Sequence, residues 1–193
     1  MIKKIENAVT TAFDHTLRKY TQILTNYYPA HKSTGFTERN LTNNFVSGLE
    51  HALGKDAFAW YEAPLNPEAR LHLDAIVFDP STKSCFLIEA KRFSNLNKKI
   101  AETLHDVQRM SHQAHHATLE LGLSKLRVEH RYAVVLADVW TESESKLEAF
   151  NRWPECLADS SFSELARKAG FEDLMIEKDW KHRYKIMMAA KKL

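Results

Sequence analysis

Leu71–Phe78 (LHLDAIVF) and Cys85–Lys91 (CFLIEAK) are two apolar runs of strand length. They are separated by Asp79-Pro80-Ser81-Thr82-Lys83-Ser84, a composition that turns the chain. Together they predict a β-hairpin with both faces largely apolar, which places it centrally in a sheet covered on two sides. Each run carries one acid where apolar residues prevail, Asp74 in the first and Glu89 in the second. A buried carboxylate is costly unless a partner or an ion relieves it, so these two residues need a reason. Lys91 stands two positions after Glu89 and therefore shares its face, with Ala90 opposite. If Phe78 pairs with Cys85, the register sets Asp74 directly across from Glu89, with their Cβ atoms about 5 Å apart. Two carboxylates so close repel each other unless a cation or a proton intervenes. Hard oxygen donors of this kind suit Mg²⁺ or Mn²⁺. A slip of one residue in the pairing would undo the alignment.

Working outward, Ile2, Ile5, Val9, Phe13, Leu17 and Leu24 recur at helical spacing and predict an amphipathic helix over residues 2–26. A second helix is expected to start near Ser33 or Thr34 and end before Gly54, with Leu41, Phe45, Leu49 and Ala52 as its apolar stripe. Glu38 falls on the same stripe and becomes a third candidate acid, although an acid also favours a helix N-terminus for its own sake. Phe58–Glu62 predicts a short strand, followed by a loop holding Pro64 and Pro67. Beyond the hairpin the period returns to helical from Asn97 to about Leu121. Arg131–Val139 (RYAVVLADV) is a further buried strand, and 143–150 and 163–169 are expected as short helices. The pattern of Tyr184–Ala189 fits a strand or a helix. This order implies an α/β fold with a mixed sheet flanked by helices.

The placement of Asp74 and, 15 residues later, Glu89-Ala90-Lys91 in an apolar strand resembles the PD-(D/E)xK phosphodiesterase superfamily of restriction-endonuclease-like nucleases. The resemblance covers roughly residues 33–140. It implies a core of helix, three-stranded meander, helix, strand and helix, in which Glu38 matches the acid of the first helix. It further implies that Asp74, Glu89 and the Ala90 carbonyl hold Mg²⁺, with Glu38 holding the metal's water shell or a second ion. Lys91 would then orient or deprotonate the attacking water or stabilise charge on the phosphate. Gln108 looks like the glutamine that exonuclease and repair branches carry on the following helix, although His112 stands where those branches often have tyrosine. Leu73 stands where a proline often precedes the first acid. The implied activity is metal-dependent hydrolysis of DNA, with RNA not excluded. A homodimer or a partner subunit would supply a second site for cutting both strands. The rival expectation is a catalytically silent module of the same fold that binds nucleic acid or a protein.

At 193 residues, 44% hydrophobic and 27% charged, with no linker or repeat, the chain is expected to be one domain over 1–193. Its N-terminal helix (1–30) and C-terminal segment (142–193) would be additions to the core. A net charge of +2 is too small a bias to argue nucleic-acid binding by itself. Lys98, Lys99, Arg109, Lys178, Lys181, Arg183, Lys185, Lys191 and Lys192 are candidate phosphate contacts, with Trp180 and Tyr184 interleaved among the last of them. His105, His112, His115 and His116 read as exposed helix positions rather than a metal cluster. Two separated cysteines, Cys85 and Cys156, and the absence of an apolar run after Met1 predict a cytoplasmic protein with no membrane association.

Overall fold

The computed structural model describes residues 2–26, 37–66, 71–93, 96–112, 127–140, 143–174 and 184–193. Two helices come first, α1 (Ile2–Asn26) and α2 (Glu38–Leu53). The meander β1 (Phe58–Asn66), β2 (Leu71–Asp79) and β3 (Ser84–Arg92) follows, and α3 (Leu96–Ser111) leads to β4 (His130–Trp140). Then come α4 (Glu144–Asn151), two 3₁₀ turns (Glu155–Leu157 and Ser160–Glu164), β5 (Leu165–Gly170) and β6 (Tyr184–Lys192). The six strands form one mixed sheet in the order β1-β2-β3-β4-β6-β5. Only β3 and β4 run parallel, joined across α3 as a crossover connection requires. The chain is therefore α/β, with a mixed sheet between helices.

Strand alternation divides the core in two. Ala75, Val77, Phe86, Ile88, Val134, Leu136, Ile186 and Met188 face α1 and α2. Ile76, Phe78, Leu87, Ala133, Val135, Met187 and Ala189 face the side holding α3, α4 and the 3₁₀ turns. The turn between β2 and β3 is fixed by Asp79, whose carboxylate accepts from the Ser81 N–H and from the Ser81 and Thr82 hydroxyls, as its position before Pro80 led us to expect.

Three local expectations are corrected, and a fourth is described only in part. Helix α2 starts at Glu38, because the Thr37 hydroxyl accepts from the Asn40 N–H and caps it there; Ser33 and Thr34 lie outside the described residues. Strand β1 continues through Pro64, which pairs with His72; β1 is an edge strand and can dispense with an N–H on its open side, while Pro67 lies outside the described residues. Helix α3 is described to Ser111, and positions 113–126, with Ala114, His115, His116 and Leu121, are outside the description. Residues 163–169 form no α-helix: a 3₁₀ turn ends at Glu164 and the rest pairs antiparallel with β6, so ladder hydrogen bonds override weak local propensity. The segment from Tyr184, undecided by pattern, is a strand.

A polar network is sealed in the α1/α2 side of the core. Asp138 on β4 is fully buried and receives Nε and Nη2 of Arg92 at 2.9 and 2.6 Å and the Tyr184 hydroxyl at 2.6 Å. Tyr184 also stacks on Tyr20 of α1, with ring centroids 5.7 Å apart. This network ties the first helix to the last strand. Asp138→Ala strands the Arg92 guanidinium, and urea unfolding should show a loss of about 3–5 kcal/mol. A loss within ~0.5 kcal/mol would mean that the pair is dispensable.

Candidate active site

The hairpin register is the expected one from Asp79↔Ser84 through Phe78↔Cys85 to Ala75↔Ile88. There the described ladder ends, one step short of Asp74 and Glu89. The cause lies in β1. Tyr61 pairs with Ala75 and Ala63 with Leu73, but Glu62 and Asp74, which that register would oppose, make no pair between them. Glu62 sits in the left-handed region (φ 51°), a conformation that costs a residue with a side chain roughly 1–2 kcal/mol. Both strands turn over at this level. Leu73 and Ala75, two apart in β2, belong to opposite halves of the core, and so do Ala63 and the partly buried Ala59 of β1.

Asp74 is thereby released from the ladder. Its Oδ2 accepts from the Ala90 N–H at 2.7 Å, so a side chain bridges β2 to β3 where backbone pairing has stopped. Ala90, expected as a carbonyl ligand, enters this arrangement through its N–H. Burial raises the Asp74 pKa; the Ala90 N–H and Lys91 oppose the rise, while Glu38 and Glu62 add to it.

Glu89 and Lys91 share the α3 face of β3. Glu89 is 4% exposed, and its two oxygens meet Arg109 Nη2 at 3.0 Å and Lys91 Nζ at 3.4 Å. Lys91 Nζ also lies 2.8 Å from Asp106 Oδ2, and Arg109 donates to Asp106 as well. The four groups form a closed ring of alternating charge. Burial still pushes the Glu89 carboxyl up to about 8; Lys91 and Arg109 oppose this, while Asp74 and Asp106 reinforce it. Burial alone would depress the Lys91 ammonium, but Glu89 and Asp106 outweigh it and hold the proton on more firmly than in a free lysine.

Glu38, in the first turn of α2, reaches the same end of β3 from the other face: its Oε1 accepts from the Arg92 N–H at 2.6 Å. Glu38 and Asp74, with Arg39, Thr42, Asn43, Tyr61 and Glu62, line a cleft of about 690 Å³ between α2 and β1. Asp74 and Glu38 therefore reach the end of β3 from the α2 side and Glu89 and Lys91 lie on its α3 side, so the expected direct opposition of Asp74 and Glu89 in the ladder is not formed. Gln108 does not join them: it is exposed, and Asp106 and Arg109 are the α3 residues that reach Glu89.

Asp106 was missed, although a signal existed. It lies three residues after the buried Thr103 and four before the buried Met110, on the inward face of α3. Arg109, read as a phosphate contact, is instead engaged with Glu89 and Asp106. Of the other described basic candidates, Lys98 and Lys99 pair with Glu102, Lys185 with Glu172 and Lys191 with Asp159, while Lys192 is exposed near the end of the chain. Lys178, Trp180, Lys181 and Arg183 lie outside the described residues. His105 and His112 are exposed, as expected.

Among the described residues no group of three or more His, Cys, Asp or Glu side chains stands in metal-holding array. The chemistry of the donors nonetheless suits a hard divalent cation. Asp74, Glu89, Asp106 and Glu38 set four carboxylates against the Lys91 and Arg109 cations, and the two most buried of the expected ligands both have raised pKa values. No family model, curated protein or solved structure matches the chain. Among the described residues no helix is long and apolar enough to cross a membrane.

The buried acid has a measurable consequence in the metal-free protein. Because the Glu89 pKa rises from 4.5 to about 8 on folding, the folded state holds a proton that the unfolded chain has lost between those values. Stability therefore falls as pH rises through that window. Glu89→Gln removes the proton dependence. In EDTA its melting temperature should exceed that of the parent by several degrees near about pH 9 and differ little near about pH 5. An equal difference at both ends would show that Glu89 ionises normally.

Proposed function

We propose that this protein is a metal-dependent nuclease that hydrolyses DNA phosphodiester bonds, with a restriction-endonuclease-like core in roughly residues 33–140. The observation that carries this reading is the set of carboxylates at the end of β3, Asp74, Glu89 and Glu38 beside Lys91, with burial holding the pKa of Asp74 and of Glu89 above the ordinary value. The order α2, β1-β2-β3, α3, β4, α4 agrees with the core that the sequence resemblance implies.

In this reading Asp74, Glu89 and the Ala90 carbonyl hold Mg²⁺ or Mn²⁺, with Glu38 beside them. The cation, when bound, polarises the phosphate and acidifies a coordinated water. Water oxygen would bond to phosphorus, releasing its proton to solvent, as the P–O bond to the leaving strand breaks and solvent protonates the leaving oxygen. Lys91 keeps its proton, held by Glu89 and Asp106, so its role is to orient the water and stabilise charge growing on the phosphoryl oxygens rather than to act as the base. Asp106 positions Lys91 for that task.

The second reading, a catalytically silent module that binds nucleic acid or a protein, draws on the Arg109–Glu89 pair, since a buried ion-pair ring can be structural and shift pKa values without catalysis. Incubation with plasmid and single-stranded DNA in Mg²⁺, Mn²⁺ or EDTA separates the two. Metal-dependent cleavage is expected, reduced on the order of 10²-fold or more in Asp74→Ala and Lys91→Ala with circular dichroism unchanged. Binding without cleavage in every metal supports the silent module instead.

A further inference from the structure

The cleft beside Asp74 has a composition that the hydrolytic site alone does not explain. Large exposed apolar side chains among the described residues occur only on β1, as Phe58, Trp60 and Tyr61, each about two-fifths exposed. Phe58 stacks on Phe78 and so belongs to the α3 side of the sheet. Tyr61, on the other side, forms a wall of the α2–β1 cleft. Scattered exposed aromatics need no explanation, but this one flanks a cleft of ligand size that ends at a candidate catalytic acid.

We propose that this cleft holds one unstacked nucleotide of a single-stranded substrate, with its base laid against Tyr61 and its phosphate directed toward Asp74. The proposal rests on the nuclease reading and names its substrate class. Within a duplex both faces of a base are covered by its neighbours, so an aromatic wall can only be used by a base outside the stack. At about 690 Å³ the cleft falls in the range of single small-ligand sites. Exposed Asn43 offers both an amide donor and a carbonyl acceptor to a base edge. The Thr42 hydroxyl already donates to the Glu38 carbonyl, so it is left to accept.

The charges set a condition. Glu38, Glu62 and Asp74 line the cleft, and Arg39 is its one lining cation. Arg39 is engaged with Glu62 at 3.3 Å in a pair whose side chains are 76% and 63% exposed, and pairs of that kind are weak enough to give way to a phosphate. The remaining acids repel a phosphate, so nucleotide entry should require a divalent cation.

Fluorescence anisotropy of a short labelled oligonucleotide tests this, with Ca²⁺ replacing Mg²⁺ to hold back cleavage. Single strand should bind about 10-fold or more tighter than a blunt duplex of the same sequence, and EDTA should abolish binding. Tyr61→Ala should weaken binding about 10- to 100-fold, the range of one lost base stack, while Tyr61→Trp retains it and Phe58→Ala, on the opposite face, changes nothing. Equal binding of single strand and duplex overturns the proposal, as does an unchanged affinity in a folded Tyr61→Ala protein. If Tyr61→Ala binds normally while cleavage still depends on Asp74 and Lys91, the nucleotide cleft is wrong and the nuclease reading survives. Tyr61-dependent binding in a protein that cuts nothing shows the reverse.

Discussion

The hydrogen bond from the Ala90 N–H to the Asp74 carboxylate closes a gap that the backbone leaves open. The ladder between β2 and β3 stops at Ala75 and Ile88, and the pairing of β1 with β2 skips Glu62 and Asp74. Without that skip, Asp74 would stand in register as one more inward side chain of a flat sheet. With it, both strands turn over, Asp74 comes to the edge of the cleft under α2, and β3 runs on beside β4 alone. Irregularities of this sort re-aim side chains, and here the left-handed Glu62 is the strained residue that makes it happen.

Downstream of the gap, β3 sorts its charges by strand alternation. Glu89 and Lys91 go to the α3 side, where Asp106 and Arg109 meet them; Arg92 goes to the α1/α2 side, where Asp138 and Tyr184 meet it. The two systems differ in composition. Asp138 is fully buried and satisfied by a guanidinium and a phenol, which burial and the Asp138 charge keep protonated. The Glu89 side pairs two acids with two bases, and burial still raises the Glu89 pKa. Glu38 joins them by taking the Arg92 N–H, so the helix carrying the third acid is anchored on the backbone of the same strand. One system ties the scaffold together and the other gathers the candidate-site residues of β3 and α3.

Much of this was legible because buried acids in apolar strands stand out, and the register near the turn follows from Phe78 and Cys85. The same reasoning should have flagged Asp138 in Arg131–Val139. What the hairpin alone could not yield was the end of the ladder, because it is imposed by β1, whose strand character past Glu62 was masked by Pro64. Strand β5 was invisible for another reason. Leu165–Gly170 contains no β-branched or aromatic residue, and it is extended because β6 offers it a free edge. Asp106 faces inward by helix phase, but its partner Lys91 comes from another element and no local pattern links them.

A site arranged in this way works against its own fold. Folding burns stability to bury Glu89 away from water, and the ring with Lys91, Asp106 and Arg109 offsets only part of that, since its acids also repel one another. The exposed Glu102 and Glu129, each paired with a lysine, have lowered pKa values because little burial opposes the pairing. The raised values at Asp74 and Glu89 run the other way. Burial is the largest cause at both, with Lys91 opposing the rise and neighbouring carboxylates adding to it. A divalent cation held there would relieve that cost of burial, which is the physical basis of the proposed metal site.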